Sequence, residues 1–426
     1  MSNQKNYCQF LLQLADLGCS LEHAQLQDSA RSVLKLIPAD AHTIERLRQQ
    51  CLDNHASKRP PAQIWENFFF TSSPSQTLYN LEVCYSLLMP SAGPLVEHTF
   101  EFQQAFIRAK GIPAVIGMLT RNNFLVGADL ATKQGAYVTL LRMCKLLFSV
   151  AGHSLVHMVA EACQPDSPTS VTPQMHNQAV VLQQALHQIP NQNQEAMVRS
   201  VSGRLAPQLL DVGAAHLPDQ ATVTAIIRVA WAAGGGGQLA NMNSPAEKLH
   251  EKFENTSDNS EEDELDEEDV SLCKEALEVL TLAIALSPSC LETLSKDQSW
   301  HKFIIDLLLL SAVKGIRQTA AEQFILIATK CSGDQQPLRF FTTLLFTVLN
   351  TLVPANAAQC SEYFYALHRL LAFTSASNIQ LNTAEILLNT EIQWLSKVKE
   401  TVRQTGMTGC HDNLLEGHLC VCRVRE

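Results

Sequence analysis

Apolar residues recur along this chain at intervals of three and four positions, which is the spacing of one face of an α-helix. The clearest case is Ile316, Ala320, Phe324, Ile327 and Cys331, spaced 4-4-3-4. Similar stripes are separated by short breaks that often contain proline or glycine. The pattern therefore predicts a chain of successive helices. The predicted helices cover 26–37, 40–51, 73–88, 128–150, 154–163, 176–189, 195–210, 219–233, 270–287, 300–313, 338–352, 363–371 and 384–402.

Two helix starts can be predicted from the residue types that cap helices. Asp40 precedes an apolar stripe, and its carboxylate can accept hydrogen bonds from the free backbone N–H groups of a first helical turn. Ser73 followed by Pro74 is typical of a cap and a first helical residue. In the first predicted helix, 26–37, the stripe Leu26, Ala30, Val33 and Ile37 is expected to face the core.

Helices joined by short connections predict an all-α fold, and we interpret it as an α-solenoid of armadillo- or HEAT-like hairpins. A compact, non-repeating helical domain is the alternative. A glycine run at 234–237 leads to eight acids among residues 261–269, and such a segment predicts a flexible linker. The predicted organisation is a helical unit 1–237, an acidic linker 238–269, a helical unit 270–405 and a divergent tail 406–426.

The net charge of −11 belongs mostly to that acidic run, and no basic stripe is present to bind phosphates. Nucleic-acid binding is therefore disfavoured. The thirteen cysteines are scattered, the amino-terminal residues do not resemble a secretion signal, and no apolar run is long enough for a membrane span. These observations predict a cytoplasmic protein.

One segment invites an enzymatic interpretation. Gly152-His153-Ser154-Leu155 resembles the turn that exposes a nucleophilic serine in α/β hydrolases. Val156 is too large for that turn, and no parallel-sheet pattern surrounds it. The sequence favours a helix that ends at Gly152 instead.

Two groups of residues have ligand types suited to a metal. His153, His157 and Glu161 fall on one helical face, but without the glutamate of the metalloprotease pattern. A second group lies near the carboxyl end, where its Cys-x-Cys spacing is unusual for zinc: Cys410, His411, His418, Cys420 and Cys422. We predict no catalytic, cofactor-binding or metal-ligating residue and no cofactor. Ser260 lies in a setting that suits an acidophilic kinase.

Long stretches resemble the fat facets-type ubiquitin-specific proteases. They include CKEALEVLTLAIALSPSCLETLSKDQSWHKFIIDLLL (273–309), RQTAAEQFILIATKC (317–331), RFFTTLLFTVLNTLV (339–353) and EILLNTEIQWL (385–395). VAEACQPDSP (159–168), NQAVVLQQAL (177–186) and LLEGHL (414–419) add to the resemblance. These proteases are thiol enzymes that remove ubiquitin, and the resemblance implies a helical region upstream of their catalytic domain.

No cysteine here lies in the sequence box of the family's catalytic cysteine, so the resemblance carries over no catalytic residue. After Leu419 the chain reads CVCRVRE, which departs from the family and suggests an alternative or truncated end. The expected function is a non-catalytic scaffold that binds ubiquitinated substrates and adaptor proteins. The alternative is an unrelated α-solenoid adaptor without a link to ubiquitin.

Overall fold

A computed structural model describes residues 2–56, 61–89, 97–121, 124–125, 127–164, 171–187, 218–234, 267–311 and 313–327, with residues 392 and 396. Within this part of the chain the ordered elements are helices and no strand occurs, which confirms the all-α prediction. The α-solenoid arrangement stays a prediction. The helices are α1 (Ser2–Ser20), α2 (Ala24–Leu36), α3 (Ala41–Ala56), α4 (Pro61–Phe69), α5 (Pro74–Leu88), α6 (Glu97–Arg108), α7 (Gly111–Thr120), α8 (Leu130–Ala162), α9 (Pro173–His187), α10 (Gln220–Gly234), α11 (Glu267–Leu286), α12 (Ser289–Leu294), α13 (Gln298–Ile305) and α14 (Lys314–Leu326).

The chain divides into two compact units, Met1–Ser287 and Pro288–Glu426. Helix α11 belongs to the first unit, where it packs against α8, α9 and α10. The sequence had placed this helix at the start of the second unit, because the acidic run before it suggested a boundary. Residues 238–266 of the predicted linker, the predicted helices at 195–210, 338–352, 363–371 and 384–402, and the tail 406–426 lie outside the described residues, apart from positions 392 and 396.

Side-chain caps begin two helices where the sequence predicted them. The Asp40 carboxylate accepts the backbone N–H of Thr43 at 3.1 Å at the start of α3. Ser73 Oγ accepts the backbone N–H of Gln76 at 3.0 Å, and Pro74 follows it as the first residue of α5. Both predicted caps are confirmed.

Helix α8 is the longest of the described helices, with 33 residues, and it contacts α5, α7, α9 and α11. The prediction of two helices that break at Gly152 is wrong, because α8 continues through this residue. A Cβ atom at Gly152 would lie 3.4 Å from side-chain atoms of Leu182 and Leu186 on α9. A side chain at this position would thus make ordinary contact with α9, and the glycine does not end the helix. By length and composition α8 could also span a membrane, but 56% of its most apolar window is buried, as in a core helix.

Aromatic side chains fill the interior of the first unit between α4 and α6. The ring of Trp65 lies 5.5 Å from that of Phe69 and 5.3 Å from that of Phe106, measured between centroids. The indole N–H of Trp65 donates to the carbonyl oxygen of Ala109 at 2.9 Å. Burial of these rings thus leaves the polar atom of Trp65 with a hydrogen-bond partner.

The second unit has its own aromatic core. Trp300 and Phe303 of α13 contact Phe324 of α14, with ring centroids 5.7 to 6.1 Å apart. The predicted stripe is confirmed from Ile316 to Ile327, and Cys331 lies outside the described residues. The helix predicted over 300–313 instead changes to a single π-helical turn at Asp306–Leu310.

The inward face of α2 differs from the prediction. Gln27 and Ala30 are buried, whereas Val33 is 37% exposed. A Cβ atom at Gly18 would lie only 3.0 Å from the backbone nitrogen of Gln27, so α1 and α2 approach closely at this glycine. The close approach places the polar Gln27 in the interface between α1 and α2. A search for apolar stripes in the sequence does not indicate such a residue.

Candidate functional site

Ser154 does not lie in a nucleophile turn. It is a buried residue within the continuous helix α8, and no strand precedes it in the described part of the chain. A helical backbone does not present the side chain on the sharp strand-to-helix turn that such hydrolases need. The local geometry therefore offers no support for the serine-hydrolase interpretation.

His157 and Glu161 form an exposed pair on α8 that has the character of a solvated helix face. His157 Nδ1 lies 3.5 Å from Glu161 Oε1, and the two side chains are 67% and 65% exposed. His153, one turn earlier, is partly buried. Among the described residues, no group of three histidine, cysteine or acidic side chains is placed to hold a metal ion.

The thiols of the described helices are mostly buried in apolar surroundings. Burial raises the pKa of Cys51, Cys144 and Cys273 to about 12 in each case. Burial also raises the pKa of Cys84 well above its ordinary value. A thiol with such a pKa is neutral near pH 7 and is a poor nucleophile. These four cysteines are therefore structural residues.

Polar side chains in the first unit are instead used to join helices. Arg31 on α2 contacts both carboxylate oxygens of Asp129, at 3.0 and 3.2 Å, and also the hydroxyl of Thr132. Asp129 caps α8 by accepting the backbone N–H of Thr132 at 3.0 Å. Burial alone would raise the pKa of Asp129, but hydrogen bonds from Thr132 and Arg31 outweigh it and hold the pKa below its usual value.

A second charged contact joins α8 to α11. Lys145 Nζ contacts the carboxylates of Glu275, at 3.5 Å, and Glu278. Burial alone would lower the pKa of Lys145, but the two carboxylates outweigh it and raise the pKa above its ordinary value. The lysine is 14% exposed and the two acids 21% and 22%. The two carboxylates therefore keep Lys145 in its charged form although its side chain is largely buried.

Helix ends in the first unit are also closed by neighbouring helices. The amide of Gln178 on α9 donates to the carbonyl oxygens of Ala285 and Leu286, at 3.2 and 2.9 Å, at the end of α11. The Asp16 carboxylate on α1 accepts the backbone N–H of Ser75 at 3.1 Å at the start of α5. Such contacts satisfy helix-end groups that would otherwise lack partners.

These polar groups stabilise helix packing, and the described residues do not bring a nucleophile, a base and an oxyanion site together. The five possible zinc ligands at Cys410, His411, His418, Cys420 and Cys422 lie outside the described residues, as does Ser260.

Comparison with known proteins gives long matches over almost the whole chain. Ubiquitin carboxyl-terminal hydrolase 9X of Mus musculus is 46% identical over 432 residues, which cover 99% of this chain. Ubiquitin carboxyl-terminal hydrolase 9Y of Mus musculus is 42% identical over 429 residues. The probable ubiquitin carboxyl-terminal hydrolase FAF of Drosophila melanogaster is 33% identical over 473 residues, again covering 99% of the chain.

These matches involve only part of each relative. The chain spans 17% of the length of the two mouse proteins and 16% of the Drosophila protein. No protein-family model matches the chain. The similarity therefore concerns one segment of much longer proteins.

Proposed function

We propose that this chain is a non-catalytic helical scaffold in protein deubiquitination. The reason is that it belongs, over nearly its whole length, with one segment of the fat facets-type ubiquitin carboxyl-terminal hydrolases. In this proposal it binds ubiquitinated substrates and adaptor proteins in the cytoplasm and so influences protein turnover. The observation that carries the proposal is the 46% identity to the mouse 9X protein across 99% of the chain.

The chemistry of the described residues supports a scaffold without protease activity of its own. Cys51, Cys144 and Cys273 are buried thiols with raised pKa values. The charged side chains that could assist a reaction, such as Lys145 and Asp129, are occupied by contacts between helices. We infer an α-solenoid from the succession of helices joined by short connections, and this architecture would offer extended surface for binding.

The alternative of an unrelated α-solenoid adaptor has less support. A helical architecture alone would tolerate many sequences, because stacking requires apolar faces and not particular residues. Identity of 33% to 46% over the whole chain, to proteins from mouse and fly, goes beyond what a shared architecture requires. The link to deubiquitination is therefore preferred.

A segment exchange in the mouse 9X protein tests the proposal. The protein would be compared in three forms: intact, with the aligned segment deleted, and with that segment replaced by this chain. We expect deletion to increase the ubiquitin carried by the substrate proteins of this hydrolase, and replacement to restore the intact level. Cleavage of a minimal ubiquitin C-terminal substrate serves as the control and should be equal in all three forms.

The two measurements separate scaffold from catalysis. Loss of minimal-substrate cleavage on deletion, regained on replacement, would show that the segment contributes to the reaction itself. Unchanged substrate ubiquitination in all three forms would contradict the scaffold proposal.

A further inference from the structure

Helix α1 carries an outward stripe of large apolar side chains. Tyr7, Phe10, Leu14, Leu17 and Leu21 are spaced 3-4-3-4, and the backbone N–H of Leu21 still donates to the carbonyl oxygen of Leu17 at 3.0 Å. Tyr7, Phe10, Leu17 and Leu21 are 53%, 57%, 49% and 64% exposed. Repetition every 3.5 residues is the pattern of a helix that packs along another helix. We call these five residues the α1 seam.

The α1 seam is separate from the face by which α1 joins the first unit. Cys8, Leu11, Leu12 and Ala15 are each 7% exposed or less and form the inward face. Cys8 and Leu12 pack with Tyr79 and Val83 of α5. Helix α1 is therefore apolar on two faces, and only the inward face is explained by packing within the described residues.

We propose that the α1 seam binds the α1 seam of a second copy of this chain, with the two helices antiparallel. Tyr7, Leu14 and Leu21 occupy the first apolar position of each heptad, and Phe10 and Leu17 occupy the fourth. In an antiparallel pair of helices, a first position of one helix faces a fourth position of the other. With the two-fold axis near residue 12, Tyr7 faces Leu17 of the second copy, and Phe10 faces Leu14 of the second copy. Each of the four layers then pairs one aromatic ring with one leucine, so the layers have matched volumes. This isologous contact closes on itself as a dimer.

The residues beside the seam favour contact between identical chains. Gln9, Gln13 and Ser20 are exposed and uncharged on one side. On the other side the residues next to the seam are Leu11, which is buried, and Gly18, which lacks a side chain. These α1 residues therefore add no like-charge repulsion to the contact between two copies.

The size of the seam predicts a weak dimer. Tyr7, Phe10 and Leu17, each about half exposed, leave on the order of 300 Å² of apolar surface in the four layers of each copy. Two copies with their polar margins reach only the lower end of specific interfaces, about 1,200 Å² in total. We therefore expect a dimer that forms in the micromolar range and is independent of any link to ubiquitin.

Sedimentation equilibrium of the 426-residue chain tests this inference, at concentrations from roughly 1 to 100 µM. The average mass should rise from one chain toward two over this range. Leu17→Glu should keep the chain monomeric because it buries a charge in the seam. Gln183→Glu adds the same charge at an exposed position of α9, away from the seam, and should dimerise like the unchanged chain. Far-ultraviolet circular dichroism should show equal helix content in all three proteins.

A paired substitution tests the antiparallel register. Tyr7→Glu combined with Leu17→Lys places opposite charges in facing layers and should restore at least part of the dimerisation lost in each single variant. In a parallel dimer the same pair would place like charges together and would restore none. A monomeric chain throughout the range, or a dimer that persists in Leu17→Glu, would overturn the proposal, the latter by assigning the contact to another surface.

Discussion

The guanidinium of Arg31 lies 3.0 Å from one carboxylate oxygen of Asp129, whose other oxygen accepts the first-turn N–H of Thr132. One carboxylate therefore both begins α8 and ties it to α2. The two side chains are only 14% and 22% exposed, so water weakens this contact less than it would at the surface.

Replacing Arg31 by methionine should destabilise the first unit. Methionine keeps most of the apolar stem but leaves the partly buried Asp129 carboxylate without its cation, at a cost of about 1–3 kcal/mol. Urea unfolding followed by circular dichroism measures the change. The matched control is Glu66→Gln, which breaks the ion pair with Arg121 at the same 3.0 Å but with both side chains nearly half exposed. It should cost less than about 0.5 kcal/mol, and equal effects would contradict the role given to burial.

The contribution of Asp129 should depend on pH in the acidic range. Its pKa is lowered in the folded chain, so its stabilisation is fully present above the pKa of the unfolded chain, about 3.9. That stabilisation is lost as pH falls through the lower folded pKa. Asp129→Asn should therefore be less stable than the unchanged chain at pH 7, with the difference shrinking below about pH 4. A difference in the free energy of unfolding that is the same at every pH would refute this.

Glu82 should show the opposite behaviour. Burial raises its pKa, and the nearby charges of Lys35 and Arg31 offset this only in part. Ionisation therefore costs stability, which is lost as pH rises from the unfolded pKa of about 4.3 through the raised folded pKa. Glu82→Gln should be more stable than the unchanged chain at pH 7, and the gain should vanish near pH 4, roughly where the unfolded side chain is protonated. Thermal unfolding at the two pH values measures this, and a loss at pH 7 would show that the glutamate charge is fully compensated.

Two glycines should respond in opposite directions to alanine. At Gly152 the new Cβ atom would make ordinary contact at 3.4 Å, so alanine should stabilise α8 by roughly 0.5–1 kcal/mol through lower chain entropy. At Gly111 the Cβ atom would lie 2.4 Å from the ring of Phe106, which must move, at a cost of roughly 1–3 kcal/mol. Unfolding free energies of the two variants provide the comparison. Destabilisation by Gly152→Ala would mean that α9 packs more closely than described.

The cysteines should distinguish a scaffold from a protease. Iodoacetamide should label the exposed Cys163 in the native chain, whereas the buried Cys51, Cys144 and Cys273 should react only after unfolding. Peptide mass spectrometry gives the labelled positions, and Cys163→Ser is the control for assignment. A ubiquitin with an electrophilic C-terminus should capture none of them. Stoichiometric capture that one cysteine substitution abolishes would contradict the scaffold proposal.

The sequence predicted features that depend on local chemistry. The caps at Asp40 and Ser73 were predictable because a short polar side chain before an apolar stripe has few other roles. The buried stripe from Ile316 to Ile327 was predictable because its spacing matches one helical face. The all-α class followed from the repetition of such stripes.

Features set by the approach of two helices were not predictable from one segment. Gly152 has the residue type of a helix end, yet α8 continues through it and packs against α9, which the local sequence does not indicate. Gln27 is buried because α2 approaches α1 closely at Gly18. The grouping of α11 with the first unit depends on contacts with α8 and α10, far away in sequence.

Two candidate sites within α8 could be proposed from the sequence: the turn at Ser154 and the helical face with His153 and His157. The turn at Ser154 does not exist in the structure, because this residue lies within the continuous helix α8. The outward face of α1 was missed in the sequence although its 3-4-3-4 spacing is visible there. Apolar residues of the inward face, such as Leu11 and Leu12, lie between the members of the seam and conceal the pattern. Exposure of each side chain separates the two faces.

The unbroken course of α8 has a mechanical consequence. Its 33 residues form a strut about 50 Å long, stiffened by a continuous ladder of backbone hydrogen bonds. Near one end Gly135 approaches Leu78 of α5, and further along Gly152 approaches Leu182 of α9. A displacement of α9 against α8 is therefore expected to move the opposite end of α8, where Asp129 contacts Arg31. A sharp bend between these points would interrupt backbone hydrogen bonds of the helix.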